Sequence, residues 1–222
     1  MNEKQLAAEK SFEFIKDGMT LGLGTGSTVF YLVQKIAVQI KSGLNINCVS
    51  TSRQTTELAK SLGIKLVELN NVDKIDLTID GADEVDENLN GIKGGGGALL
   101  FEKIVAKASD KVIWIIDSSK LVKLLGKFPL PVEVVPFGSN QLLKKFEQLG
   151  YNPMIRKING KPFITDSGNI IIDLRLNVIE DSVLMEQQLK LTTGVVETGF
   201  FNSIADKVII GINGSVKIFE RF

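Results

Sequence analysis

Four short segments of this sequence gather glycines or hydroxyl, acidic or amine side chains in patterns that could do chemistry. The first is Gly22-Leu23-Gly24-Thr25-Gly26-Ser27-Thr28. Glycines let the chain turn sharply after a strand. The N–H groups opening the next helix then face the loop, so a phosphate fits there beside the Ser27 and Thr28 hydroxyls. The spacing is not a dinucleotide fingerprint, because no acidic residue ends the second strand. It is not a Walker loop, because no lysine follows the glycines. The second segment, Ile79-Asp80-Gly81-Ala82-Asp83-Glu84-Val85-Asp86, places four carboxylates within seven positions. Ligands gather at the carboxyl ends of parallel strands, where Asp80 and Asp83 would stand. Glu84 and Asp86 read as solvated turn acids, and the spacing does not match a calcium-binding EF-hand.

The third segment is Lys93-Gly94-Gly95-Gly96-Gly97, opening a helix that carries Glu102. Consecutive glycines cost chain entropy and are tolerated where the backbone must approach something closely. By three- and four-residue spacing Glu102 lies beside Ala98, Val105 and Ala106. A carboxylate on such an apolar face is partly desolvated, which raises its pKa and suits a general base. The alternative is a surface glutamate paired with Lys103 or Lys107. The fourth segment is Asp117-Ser118-Ser119-Lys120. There Lys120 is either a phosphate contact or a solvated loop lysine.

The elements that must position these groups alternate. Strands are expected at Met19–Gly24, Asn45–Ser50, Lys65–Leu69, Ile75–Ile79 and Lys111–Asp117. Helices fall at Val29–Lys41, Arg53–Leu62 and Ala98–Ala108. Alternation of this kind predicts a parallel sheet covered on both faces, a Rossmann-like α/β domain. All four segments follow strands of that sheet, so they can converge on one crevice. Gly126-Lys127-Phe128-Pro129-Leu130-Pro131 is the clearest break, since its prolines stop helices and favour an extended crossing. After it the pattern predicts strand Val132–Val135, helix Gln141–Leu149, strands Met154–Ile158 and Ile170–Leu176, helix Ser182–Leu191 and strand Gly194–Glu197. That β-α-β-β-α-β order is the ferredoxin-like split unit, a second and smaller α+β domain. Strands Lys207–Ile212 and Ser215–Phe219, joined at Asn213-Gly214, return to the first domain. The expected division is 1–127 plus 199–222, and 128–198.

Composition narrows the chemistry. The 222 residues contain no histidine, and 26 basic residues balance 26 acidic ones. Histidine-based nucleophilic triads, His-ligated zinc and imidazole proton shuttles are therefore excluded. Zero net charge argues against a nucleic-acid partner. No apolar run is long enough to span a membrane, and the N-terminal segment reads as an amphipathic helix, not a signal peptide. The single Cys48 lies in an apolar run; it reads as a buried core thiol and fits a reducing cytoplasm.

Taken together, the strings GLGTGST (22–28), DGADEVD (80–86), KGGGGALLFEKI (93–104), DSSK (117–120) and LGKFPLPVEVVPF (125–137), with GVVETGFF (194–201), resemble the A-type ribose-5-phosphate isomerases. The resemblance runs in order over nearly the whole chain. It implies interconversion of ribose 5-phosphate and ribulose 5-phosphate in the pentose phosphate pathway, without metal or cofactor. The family's catalytic base falls on Glu102. Its substrate-contacting segments fall on Thr25, Gly26, Ser27 and Thr28, on Asp80, Gly81, Ala82 and Asp83, on Lys93, Gly94, Gly95 and Gly96, and on Lys120. Lys4 occupies a place where the family can offer a phosphate contact. Gly97 departs from the pattern, where alanine is expected.

The chemistry expected from that resemblance is proton transfer between C2 and C1 through an enediolate. Glu102 acts as shuttle base, and Lys93 with the Gly94–Gly96 amides meets the oxyanion. Asp80 and Asp83 bind hydroxyls and assist ring opening. Ser27, Thr28 and Lys120 hold the phosphate. The family also implies a homodimer or tetramer, with residues 128–198 as the contact. Three rivals are weaker. A non-catalytic sugar-phosphate sensor would need a DNA-binding segment, and only about 18 residues precede the first strand. An amino-sugar-phosphate deaminase leans on a histidine, and a coenzyme A transferase on a longer, paired chain.

Overall fold

The run Val112-Ile-Trp-Ile-Ile-Asp117 is rich in β-branched and aromatic side chains, and it becomes an interior strand buried along nearly its whole length. In the computed structural model, which describes residues 2–221, the chain opens with α1 (Glu3–Phe12), β1 (Thr20–Leu23), α2 (Ser27–Lys41), β2 (Asn47–Ser50) and α3 (Arg53–Ser61). It continues with β3 (Leu77–Asp80), β4 (Glu84–Val85), β5 (Gly91–Ile92), α4 (Leu99–Lys107) and β6 (Val112–Asp117). Then follow β7 (Leu130–Val134), α5 (Ser139–Gln148), β8 (Pro153–Ile155), β9 (Lys157–Ile158), β10 (Lys161–Pro162), β11 (Ile170–Leu174) and α6 (Ser182–Lys190). The last elements are β12 (Val195–Thr198), β13 (Phe200–Phe201), β14 (Lys207–Ile212) and β15 (Ser215–Glu220).

Six strands form the main sheet in the order β15-β14-β6-β3-β1-β2. All neighbours are parallel except β14 and β15, which form a hairpin. Alternation along β6 divides the core. Ile113 and Ile115 pack with Ala7, Ala8, Leu32, Val33 and Ile36 of α1 and α2. Val112, Trp114 and Ile116 pack with Leu99 and Ala106 of α4. The sheet is therefore covered on both faces. The chain passes from β1 to β2 on one side and returns to β3 on the other, so the sheet's switch point lies at the carboxyl ends of β1 and β3. Both the Gly24–Thr28 and Asp80–Asp83 segments begin there.

A second, antiparallel sheet has the order β12-β7-β11-β8, the ferredoxin-like arrangement, and carries α5 and α6. Its β7 is buried at every position. Among the described residues no helix is long and apolar enough to cross a membrane.

Several local expectations differ from the structure. Lys65–Leu69 supplies only a single bridge, Leu66 to Cys48, before a short 3-10 turn at Leu69–Asn71. The expected Met154–Ile158 strand is divided, because Lys157–Ile158 turns away to pair with Lys161–Pro162. A three-stranded sheet, β13-β5-β4, is an addition built from two-residue strands too short to show periodicity. Glu84 is the clearest correction. It is buried, not solvated, and its carboxylate accepts the Gly126 and Phe128 N–H groups, both at 2.7 Å. It thereby pins the segment where the chain crosses to the second sheet. Cys48 is buried as expected, and burial pushes its thiol up to about 12.

Candidate active site

The glycine loop after β1 takes its shape from Asp80. A Cβ on Gly24 would lie 2.0 Å from Asp80 Oδ1, so only glycine lets this carboxylate reach the loop. Asp80 Oδ1 accepts the Thr25 N–H at 2.9 Å and the Gly81 N–H at 2.7 Å, and Oδ2 pairs with Lys93 Nζ at 2.9 Å. Thr25 turns its hydroxyl away into a buried cluster with Thr51 and Ser52, both at 2.8 Å, and Thr55 at 3.3 Å. Gly26 then stands at φ +120° as the residue before α2, and no side chain caps that helix. Its first N–H groups therefore remain available, with the positive end of the helix dipole, for an anion.

Two lysines add charge. Lys4 Nζ donates to Ser27 Oγ at 2.8 Å and stands 4.0 Å from Asp117. It is held there by its neighbour Glu3, whose carboxylate accepts from Ser118 N–H at 3.0 Å, Ser118 Oγ at 2.7 Å and Asn213 N–H at 3.1 Å. The Ser118 hydroxyl and amide, with Asn213, hold the Glu3 carboxyl below its usual range. Lys120, after β6, stands with its Nζ over the Phe128 ring.

The other end of the site is buried. Lys93, just after β5, donates to the Gly81 carbonyl at 2.6 Å, pairs with Asp80, and stands 3.3 Å from Glu102 Oε2. Phe201 lies beneath it, 5.2 Å from ammonium to ring centroid. Burial pulls the Lys93 ammonium down, but the carboxylates of Asp80 and Glu102 outweigh it, so its pKa is raised. Glu102 on α4 is buried, and its Oε2 receives no hydrogen bond among the described residues. Burial pushes its carboxyl up, Lys93 pulls it back, and the charges of Asp80 and Asp83 push it up again, to about 8. Asp83 Oδ2 accepts the Gly95 N–H at 2.7 Å. The Gly97 N–H goes to the Gly94 carbonyl, while the Gly94 and Gly96 amides take no partner among the described residues.

These groups surround one cavity of about 130 Å³. Its lining brings together Glu102, Lys93, Asp83, Gly81, Ala82, Gly94, Gly95, Gly96, Thr25, Gly26, Ser27, Thr28 and Lys120, and adds Lys4 and Asp117. Asp80 departs from expectation: it lies behind the wall, with its oxygens taken by backbone N–H groups and Lys93. Thr25 faces the cavity, but its hydroxyl is committed elsewhere. Lys93 donates to the Gly81 carbonyl and pairs with Asp80, while Glu102 stands 3.3 Å away as an ion pair without a hydrogen bond. Glu102 pairs with neither Lys103 nor Lys107; Lys103 turns instead to Glu186, Glu197 and the Thr198 carbonyl. The acidic run does not gather on one point, and among the described residues no group of three or more His, Cys, Asp or Glu is placed to hold a metal ion.

Two features escaped sequence reasoning, one arginine and one cluster of hydroxyls. Arg156, from the second sheet, reaches the carbonyls of Gly94 and Gly95 while paired with Asp173. The hydroxyls of Thr51, Ser52 and Thr55 anchor the loop after β1 from behind. The only signal for the latter was the N-cap Ser52 followed by two threonines.

An open helix N-terminus with lysines at one end of a cavity, and a buried carboxylate at the other, mark an α/β protein with a site suited to a small anionic molecule. Residues 47–214 match the family model of ribose 5-phosphate isomerase A (phosphoriboisomerase A). A ribose-5-phosphate isomerase A from Streptococcus pneumoniae is 52% identical over 218 residues, covering 98% of this chain and 96% of that protein. Among solved structures, a D-ribose-5-phosphate isomerase in complex with phospho-erythronic acid superposes with a TM-score of 0.95 at 41% identity, covering 100% of both chains. The ribose 5-phosphate isomerase A of Methanocaldococcus jannaschii gives 0.93 at 38% identity, covering 98% of each. The chain belongs to the ribose 5-phosphate isomerase A family.

Proposed function

We propose that this protein interconverts D-ribose 5-phosphate and D-ribulose 5-phosphate by proton transfer between C2 and C1, with Glu102 as the base. The observation that carries the reading is the Glu102 carboxylate, buried, raised to about 8 and free of hydrogen bonds at Oε2 beside Lys93. A base poised near the working pH combines adequate ionisation with adequate basicity. Glu102 removes the C2 proton of the open-chain aldose and returns it to C1 of the enediolate. The proton on the C2 hydroxyl moves to O1, so that the carbonyl ends at C2.

The Lys93 charge, fixed by Asp80, keeps Glu102 ionisable and favours the negative intermediate at a distance. The unpartnered Gly96 N–H is the direct donor for the oxyanion. Asp83 binds hydroxyls and assists ring opening. The open start of α2, with Ser27, Thr28, Lys4 and Lys120, takes the 5-phosphate, and that remote grip positions the reacting carbons. A relative binds phospho-erythronic acid, whose carboxylate has two oxygens on one flat carbon, as an enediolate has across two.

The reaction belongs to the non-oxidative pentose phosphate pathway, and the lone buried thiol suits the cytoplasm. We further place a domain border at 127/128 and 198/199, with the second domain as the contact of a homodimer or tetramer. The exposed apolar side chains Phe137 and Leu191 there support it.

The test is a direct assay with ribose 5-phosphate, run beside Glu102→Gln. Turnover should fall about 10³-fold or more in the variant while sugar-phosphate binding persists. In deuterated water, label should enter the carbon next to the carbonyl. A variant retaining a tenth of wild-type turnover would remove Glu102 from the role. Activity should survive exhaustive chelation.

A further inference from the structure

We propose that Arg156 is a positioning residue for this isomerisation, turning the Gly96 N–H into the cavity to face the reacting oxygen. The inference rests on the function proposed above. Arg156 lies between β8 and β9, and its backbone is fixed on both sides: its N–H donates to the Ile171 carbonyl at 2.8 Å, and its carbonyl accepts the Phe163 N–H at 2.9 Å. Asp173 on β11 holds the guanidinium through two nitrogens, Nε at 2.9 Å and NH2. The remaining NH1 donates to the Gly94 carbonyl at 2.7 Å and the Gly95 carbonyl at 3.1 Å. A flat fork fixed on one side by a carboxylate presents its other edge with little freedom left.

The consequence follows from the planarity of the peptide. Every peptide bond among the described residues is trans, so each carbonyl points opposite to the next N–H. With the Gly94 carbonyl drawn to Arg156, the Gly95 N–H points away from it and meets Asp83 Oδ2. With the Gly95 carbonyl drawn the same way, the Gly96 N–H is also turned from Arg156, and it has no partner among the described residues. Gly96 lines the cavity that Glu102 lines. Glycine peptides flip easily, because no Cβ opposes the change of φ and ψ. Without Arg156 nothing on that side holds the Gly95 carbonyl outward.

The experiment compares wild type, Arg156→Met and Arg156→Lys for kcat and KM with ribose 5-phosphate. It also measures affinity for inorganic phosphate and for phospho-erythronic acid, and the unfolding midpoint. For Arg156→Met we expect kcat to fall about 100-fold, as when an oxyanion donor is lost. KM and phosphate affinity should stay within about twofold, because the phosphate end does not touch Arg156, while the acid, whose carboxylate needs the same N–H, should bind at least about tenfold more weakly. Arg156→Lys, able to reach one carbonyl, should recover part of kcat. If Arg156→Met does not fold, Arg156→Lys decides alone, with kcat down about tenfold expected. Unchanged kcat in the folded variants, or phosphate affinity lost in step with kcat, overturns the inference and leaves only a structural clamp. Absence of turnover in wild type overturns the proposed function itself, and this inference with it.

Discussion

Replacing Glu102 with glutamine should make the protein more stable at alkaline pH while removing its activity. The Glu102 carboxyl sits at about 8 in the folded chain against an ordinary 4.5. A folded pKa above the unfolded one means that the folded state holds the proton more tightly. That contribution is full below about 4.5, is lost as pH rises toward 8, and changes no further above it. Each pH unit in that window costs about 1.4 kcal/mol, so between pH 6 and pH 9 the wild type should lose roughly 3 kcal/mol that the glutamine variant keeps. The structural cause is burial, which Lys93 offsets only in part and the neighbouring Asp80 and Asp83 charges oppose. Urea unfolding of both proteins at pH 6 and pH 9 measures the difference. The gap in favour of the variant should widen by about that amount, and wild-type kcat/KM should rise over the same range. A gap that stays constant would mean that Glu102 titrates as an ordinary glutamate. The argument from desolvation to base would then fail.

Gly97→Ala should destabilise by about 2–4 kcal/mol, part from a left-handed backbone and part from overlap. Gly97 has φ +83°, and a Cβ there would stand 2.3 Å from the Phe163 ring. Adding Phe163→Leu should recover the overlap share only, as read by urea titration. Lys4→Ala should raise KM for ribose 5-phosphate about tenfold, in keeping with the loss of one charged hydrogen bond, with kcat nearly unchanged. Light scattering at micromolar concentration should show a dimer or tetramer, and a monomer there would remove the contact assigned to residues 128–198.

What could be read from the sequence was local. Glu102 was visible because helical spacing sets it among Ala98, Val105 and Ala106, and Lys93 because it opens the glycine run. The strand order could not be read, but the alternation of strands and helices implied a parallel sheet and hence loops at one edge. What escaped depended on contacts between distant segments. Glu84 looked solvated because nothing local announces that Gly126 and Phe128, more than forty positions later, offer it two amides. Arg156 and Asp173 meet only when β8 pairs with β11. Asp80 adjoins the cavity in sequence, yet its side chain is spent on holding Thr25 and Lys93. The resemblance marked Gly97 as a departure but gave no reason, and the reason is a ring 66 positions away.

The N-terminal helix that carries Lys4 rests on one of the last strands of the chain. Glu3 accepts the Asn213 amide, and Gly211 has no room for a Cβ because the Glu3 carbonyl would stand 1.8 Å from it. The seat of Lys4 therefore depends on a partner of Glu3 that lies 210 positions further along the chain. At ribosomal speed the lysine leaves the tunnel roughly 10–40 s before its seat exists. A growing chain has its glycine loops and its Glu102 by mid-synthesis, but its grip on phosphate is still unfinished. Until the strand carrying Gly211 and the Asn213 turn are made, Lys4 lacks the support that Glu3 draws from them.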